Sequence, residues 1–155
     1  MASRTPNTGD LAPERVRNRA TWLIRQAYAR SSACLEDAFR DGGDGYRGYH
    51  FRLLAALEHT EVTSQADLGR ASGIDPSDVT ETMTELVARN LVRRRIDPQD
   101  RRRNLVSITR QGRRQLEALD GVVSAAQDRL LDPLTSRERQ QFLRLLHKIL
   151  ENPDR

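Results

Sequence analysis

The chain is short of several residue types, and each shortage narrows what it can be. Among 155 residues there is one cysteine, Cys34, which excludes an intramolecular disulfide and fits a reducing compartment. There is one lysine, Lys148, so positive charge is carried almost wholly by arginine. No apolar stretch approaches the roughly 20 residues needed to span a bilayer; the longest continuous run is Leu53 to Leu57. The first 20 residues hold no apolar signal core, so a cytoplasmic location is expected. Glycine-rich phosphate loops, nucleophile elbows and H-E-x-x-H segments are all missing. His50 and His59, nine residues apart, fall on opposite faces of one helix, and His147 is remote. No metal site, cofactor or enzymatic activity is therefore expected.

What is present is charge and helical periodicity. Charged residues make up 31% of the chain and the net charge is +4, which is compatible with a polyanionic partner. Residues 1–12 are polar and contain Pro6 and Gly9, the composition of a disordered tail. From about Pro13 a single long helix is predicted, with Leu23, Ala27, Ser31, Cys34 and Ala38 stepping by three and four. Ile24, Tyr28, Leu35 and Phe39 widen that stripe. The run Asp41-Gly42-Gly43-Asp44-Gly45 ends it. A second helix is predicted from about Tyr46 to His59, and a short third one begins near Thr63 or Ser64 and stops at Gly73.

Asp75-Pro76 is a strong start signal for the next helix. Asp75 is a good N-cap, and Pro76 sits where its missing N–H is not needed. Val79, Met83, Leu86 and Val87 give that helix its inner face. Two strands follow, about 91–96 and 104–108, joined by a polar hairpin. A fifth helix repeats Leu116, Leu119, Val123, Ala126 and Leu130 at heptad-like spacing. Thr135 and Glu138 form a capping box for a sixth, whose apolar face is Phe142, Leu145, Leu146, Ile149 and Leu150.

The expected fold class is therefore mainly α, of the α+β kind. A winged helix-turn-helix lobe would span residues 46–112. Helices over 13–45 and 113–155 would form a dimerisation region, because so thin a helical monomer buries little apolar surface alone. Helix, tight turn, capped helix and two-stranded ribbon are the parts needed to place a helix N-terminus in the major groove of double-stranded DNA. Ser77, Asp78, Thr80, Glu81 and Thr84 are the side chains free to reach base edges. Between Arg93 and Arg114 there are nine arginines and two acids, and Arg101, Arg102 and Arg103 fall at the hairpin tip. Guanidinium groups so placed repel one another unless an anion lies beside them, and a narrow minor groove supplies one.

The segment Asp97-Pro98-Gln99-Asp100-Arg101-Arg102 resembles the D-x-R-D-x-R wing signature of the MarR family. Leu105 to Gly112 is similar to the strand and V-x-L-T-x-x-G segment that follow it there. Val79-Thr80 and Leu86 to Val92 resemble the family's recognition helix and its exit. The resemblance covers roughly residues 15–150. It implies a homodimer on a palindromic operator, with Arg102 entering the minor groove and Arg101 and Arg103 on phosphates. It also implies that Asp97 and Asp100 fold the wing by pairing with nearby arginines; acids at these positions are also turn-forming caps, and both roles can hold at once. Gln99 and Glu81 depart from the pattern, each standing where arginine is common. Glu81 has two readings, acceptance of a bond from cytosine N4 or pairing with an arginine.

The resemblance further implies a repressor released by a small aromatic or phenolic anion. Trp22, Arg25, Tyr28, Tyr49 and His50 are the candidate lining of its pocket. An alternative from a different class is a winged-helix interaction module, an antirepressor that binds protein and not specific DNA. The acidic recognition helix favours it.

Overall fold

The computed structural model describes residues 13–60 and 62–151, so the expected tail over 1–12 lies outside the described residues. The order is α1 (Glu14–Arg17), α2 (Ala20–Gly42), α3 (Gly48–Thr60), β1 (Val62–Ser64), α4 (Gln65–Ser72), α5 (Pro76–Ala88), β2 (Val92–Ile96), β3 (Asn104–Ile108), α6 (Arg110–Leu131) and α7 (Ser136–Leu150). The fold is mainly helical with a three-stranded antiparallel sheet, and it is a winged helix-turn-helix.

Two departures from the sequence expectation have local causes. The predicted single first helix is two: Arg19 takes an extended conformation (φ −83°, ψ 131°) and separates α1 from α2. β1 was not predicted. Its three residues pair with β3 in the register Val62↔Ser107, Thr63↔Val106 and Ser64↔Leu105. Three residues carry too little periodicity to signal a strand, and this one is stabilised by a partner some 40 positions away.

The core lies where α3, α4, α5, the sheet and the first half of α6 converge. Leu53, Leu54, Leu57, Leu68, Met83, Leu86, Leu91, Val106 and Leu119 are fully buried there. Leu68, Ile74, Val79 and Leu86 brace α4 against α5 as their spacing predicts. Each junction has its own lock. The hydroxyl of Ser64 accepts from Asp67 N and caps α4, and Gly73 closes it at φ 60°. Asp75 caps α5 by accepting from Ser77 N. At the far end Asn90 adopts φ 57°; Leu91 N donates to Leu86 O and Asn90 N to Val87 O, a Schellman turn that aims the chain into β2.

The base of the ribbon is fastened to α6. Thr109 N and its hydroxyl donate to Leu91 O at 3.0 and 3.1 Å, while that hydroxyl accepts from Gly112 N. Gly112 packs so closely that a Cβ there would lie 2.1 Å from Leu91 O. The Thr109-x-x-Gly112 spacing is thus a cap and a close approach in one turn.

α2 runs along α6, but only Ala38 and Phe39 of α2 are buried. Leu23, Ile24 and Tyr28 of the predicted stripe are exposed. So are Leu143, Leu145, Ile149 and Leu150 of α7, the last at 76%, and α7 buries no residue of its own. The α7 capping box is formed as predicted.

Candidate nucleic-acid interface

The N-terminal half of α5 presents its polar side outward. Ser77, Thr80, Glu81 and Thr84 are exposed and Asp78 is half-buried. The Thr80 and Thr84 hydroxyls donate back to Pro76 O and Thr80 O, leaving their oxygen lone pairs and methyl groups outward. A groove of about 680 Å³ opens between this helix and the ribbon. Pro76 and Thr80 line one wall, Arg102, Arg103 and Asn104 the other, and Gly69 of α4 the floor. The tip of the ribbon therefore stands on the same face as the start of α5.

The tip is shaped by its two aspartates acting on backbone. Asp97 Oδ1 accepts from Gln99 N at 2.9 Å and Asp100 Oδ1 from Arg102 N at 3.0 Å. Asp97 N donates to Arg103 O and closes the loop. Of the two roles open for these acids, the structure shows the turn-forming one. Among the described residues neither carboxylate is ion-paired with an arginine. The physical reason is geometric: each carboxylate already points along its own chain to the N–H two residues on.

The three tip arginines are not equivalent. Arg103 turns back to Asp67 of α4 at 3.2 Å. Ser64, Arg70 and Arg103 surround that carboxyl and hold it below its usual value, the Ser64 hydroxyl contributing most. Arg101 and Arg102 have no side-chain partner among the described residues. Of the two tip arginines that line the groove, Arg102 is free and Arg103 is held by Asp67. Arg103, expected on a phosphate, is paired inside the fold with Asp67. The only sequence signal of this pairing was Ser64-x-x-Asp67, legible as a cap but not as an anchor for the wing.

The acidic character of α5 is balanced within the fold. Arg47, just before α3, lies 3.7 Å from Glu81 and 2.9 Å from Glu85. His50 is completely buried and bridges the same two helices. Its Nδ1 accepts from Arg47 N at 2.9 Å, so Nε2 carries the proton and donates to Glu85 Oε2 at 2.7 Å. Burial pushes the His50 pKa down, against the pull of Glu85, and the bond from His50 holds Glu85 below the usual carboxylate range. Tyr46 meets the His50 ring edge-on and carries Arg89 over its face. This clamp between α3 and α5 was not legible in the sequence.

Of the expected pocket residues, the structure brings some together. Tyr49 lies beside Asp78 of α5, whose carboxylate raises the phenol pKa, with Arg52 and Tyr28 also within its electrostatic reach. Tyr28 is 73% exposed, Arg25 is exposed and Trp22 is half-buried. His50 is not at that surface: it faces the core with both ring nitrogens engaged. No group of three or more His, Cys, Asp or Glu among the described residues could hold a metal.

The MarR family model matches residues 49–103, from the second residue of α3 through the wing tip. The chain belongs to the MarR family. Its relatives agree along nearly its whole length. It is 29% identical over 152 residues to the HTH-type transcriptional repressor NicR of Pseudomonas putida, covering 97% of this chain and 95% of that one. A probable transcriptional regulator from Pseudomonas aeruginosa superposes with a TM-score of 0.72 at 30% identity, over 85% of this chain and 97% of the other. BpsR of Bordetella bronchiseptica, whose DNA binding is regulated by 6-hydroxynicotinic acid, superposes with a TM-score of 0.77 at 27% identity, over 92% and 100%. This MarR-family chain is a transcriptional regulator and not an enzyme. No described helix is long and apolar enough to cross a membrane.

Proposed function

We propose that this regulator is a homodimeric repressor that binds a palindromic DNA operator and is released by a small aromatic acid or phenol. The observation that carries the DNA reading is the shared groove between exposed Thr80 and unpaired Arg102. The start of α5 enters the major groove, with Ser77, Thr80 and Thr84 at base edges and Asp78 and Glu81 at its rim. Arg102 reaches the adjacent minor groove and Arg101 a phosphate. Arg103 reaches a phosphate only by leaving Asp67. The partners of Glu81 and Glu85 reduce the repulsion that an acidic helix would otherwise present to a duplex, and this weighs against the antirepressor reading.

The dimer reading rests on α2 and α7. Their exposed apolar side chains, Leu23, Ile24, Leu145, Ile149 and Leu150 among them, are covered by nothing among the described residues of the single chain. Residues 13–45 and 113–155 form the dimerisation region, and 46–112 the reading lobe. A two-fold dimer sets two α5 helices about 34 Å apart on one face of the duplex.

Trp22, Arg25, Tyr28 and Tyr49 form the effector site, at the junction of α2 with the lobe. Tyr49 adjoins Asp78 in the first turn of α5, so a ligand that engages the phenol acts directly on the recognition helix. Support for the ligand class comes from BpsR and its 6-hydroxynicotinic acid. The test is fluorescence anisotropy with a duplex taken from upstream of the chain's own gene, with and without added 6-hydroxynicotinic acid. Specific binding that is relieved by the acid is expected. No preference over unrelated DNA at low salt, together with a stable complex with another regulator, would establish the antirepressor instead.

A further inference from the structure

Arginine partners divide the lobe into two regions. Arg47, Arg52, Arg70, Arg89, Arg103 and Arg113 each have a side-chain partner: a carboxylate, a backbone carbonyl or, for Arg89, also the Tyr46 ring. Arg93, Arg94, Arg95, Arg101, Arg102, Arg110 and Arg114 have none among the described residues. Every unpartnered arginine of the lobe therefore lies on the wing or in the first turns of α6. Two of them, Arg101 and Arg102, are at the tip. The others lie at the opposite end of the ribbon or along it.

Sheet order makes this second group accessible. The strands run β1-β3-β2, so β2 is the outer edge, and Arg93, Arg94 and Arg95 are all exposed on it. At the base of the ribbon Arg93, Arg94 and Arg110 line an open concavity of about 520 Å³ together with Asn90, Thr109 and Gln111. No acid lines it. Arg93 to Arg95 span ~7 Å of β2, the axial rise of about two phosphates of one DNA strand, with successive side chains on opposite faces of the ribbon. Arg110 adds a further cation beside Arg93 and Arg94 in the concavity.

We propose that this outer edge of the wing is a second duplex-contact surface, in which Arg93, Arg94 and Arg110 engage backbone phosphates flanking the operator. The proposal rests on the DNA-binding reading and adds an interface that the tip arginines do not form. These contacts carry no base information. They lengthen the footprint and steepen the salt dependence, because each phosphate neutralised releases counterions.

The test uses the full chain and two duplexes carrying one site selected from a random pool. One duplex is trimmed to the site, about two helical turns, and the other is extended by about ten base pairs on each side. Anisotropy is read across a salt series for wild type, R93Q/R94Q/R110Q and R101Q/R102Q. All five positions are exposed, and circular dichroism checks that the variants fold. The edge variant is expected to match wild type on the short duplex. On the long one its log–log salt slope should fall by about 5, three contacts from each protomer of the dimer, while the tip variant loses slope on both. An edge variant equal to wild type on both duplexes, or weakened equally on both, overturns the proposal and leaves operator binding intact. Wild type that binds neither duplex overturns the DNA reading beneath it.

Discussion

Replacing Arg101 and Arg102 by alanine gives a quantitative test of the tip. The structure supplies the count: two free guanidinium groups, because Arg103 is held by Asp67. Each phosphate neutralised contributes about 0.9 to the slope of log affinity against log salt. Each protomer of the proposed homodimer carries the pair, so four lost contacts lower the slope by about 3.6. Between 50 and 200 mM salt, a fourfold change, each contact makes affinity fall about 3.5-fold, and four together about 150-fold. The double variant should therefore show its largest deficit at 50 mM, and the deficit should shrink about 150-fold by 200 mM. Anisotropy titrations at four salt concentrations measure this directly. Arg103→Ala should move the slope by less than either tip residue, since Arg103 gives up Asp67 to reach DNA. A double variant with the wild-type slope, or an Arg103 variant that loses as much as the pair, would refute the assignment of free and held cations.

Three further outcomes follow from the packing. Gly112→Ala places a Cβ 2.1 Å from Leu91 O and should cost about 3 kcal/mol, lowering Tm by about 6–12 °C; Gly121→Ala, with nothing within 4 Å, should stabilise by about 0.5–1 kcal/mol, and calorimetry separates the two. His50 has a folded pKa below the ordinary 6.5, so the folded state binds fewer protons and stability falls as pH drops from about 6.5 toward that lower value. The depressed Glu85 adds to the loss at still lower pH. In His50→Gln the decline between pH 7 and 5.5 should flatten; an unchanged decline by thermal melts would remove His50 as its cause. Ile149→Glu with Leu150→Glu should convert the dimer to monomer in sedimentation and reduce operator affinity, whereas a retained dimer would place the interface elsewhere.

The parts of the site legible in the sequence are those made by neighbours in the chain. Asp75-Pro76 marked the start of α5, whereas the Schellman exit at Asn90 appeared only in the structure. The aspartates of the tip act over two residues, so a turn role was readable from Asp97-Pro98-Gln99-Asp100 itself. The arginine run located the wing because charge density needs no structure to be counted. Which arginine is free was not readable, since Arg103 and Asp67 are 36 positions apart. His50 was placed with the pocket residues because it follows Tyr49. One helical step turns its ring by about 100°, into the core and toward Glu85, 35 positions on.

By itself the sequence determined the helix starts and stops, the ribbon and its charged tip, and the family's wing pattern. These rest on hydrogen bonds and periodicities spanning a few residues. Only the tertiary structure decided that β1 is a strand, that Glu81 and Glu85 are answered by Arg47 and His50, and that the lobe's unpartnered arginines lie along the wing and the start of α6. Each depends on which distant groups meet. A side chain's charge is written in the sequence, but whether that charge is spent inside the fold or left for a partner depends on neighbours that only folding provides.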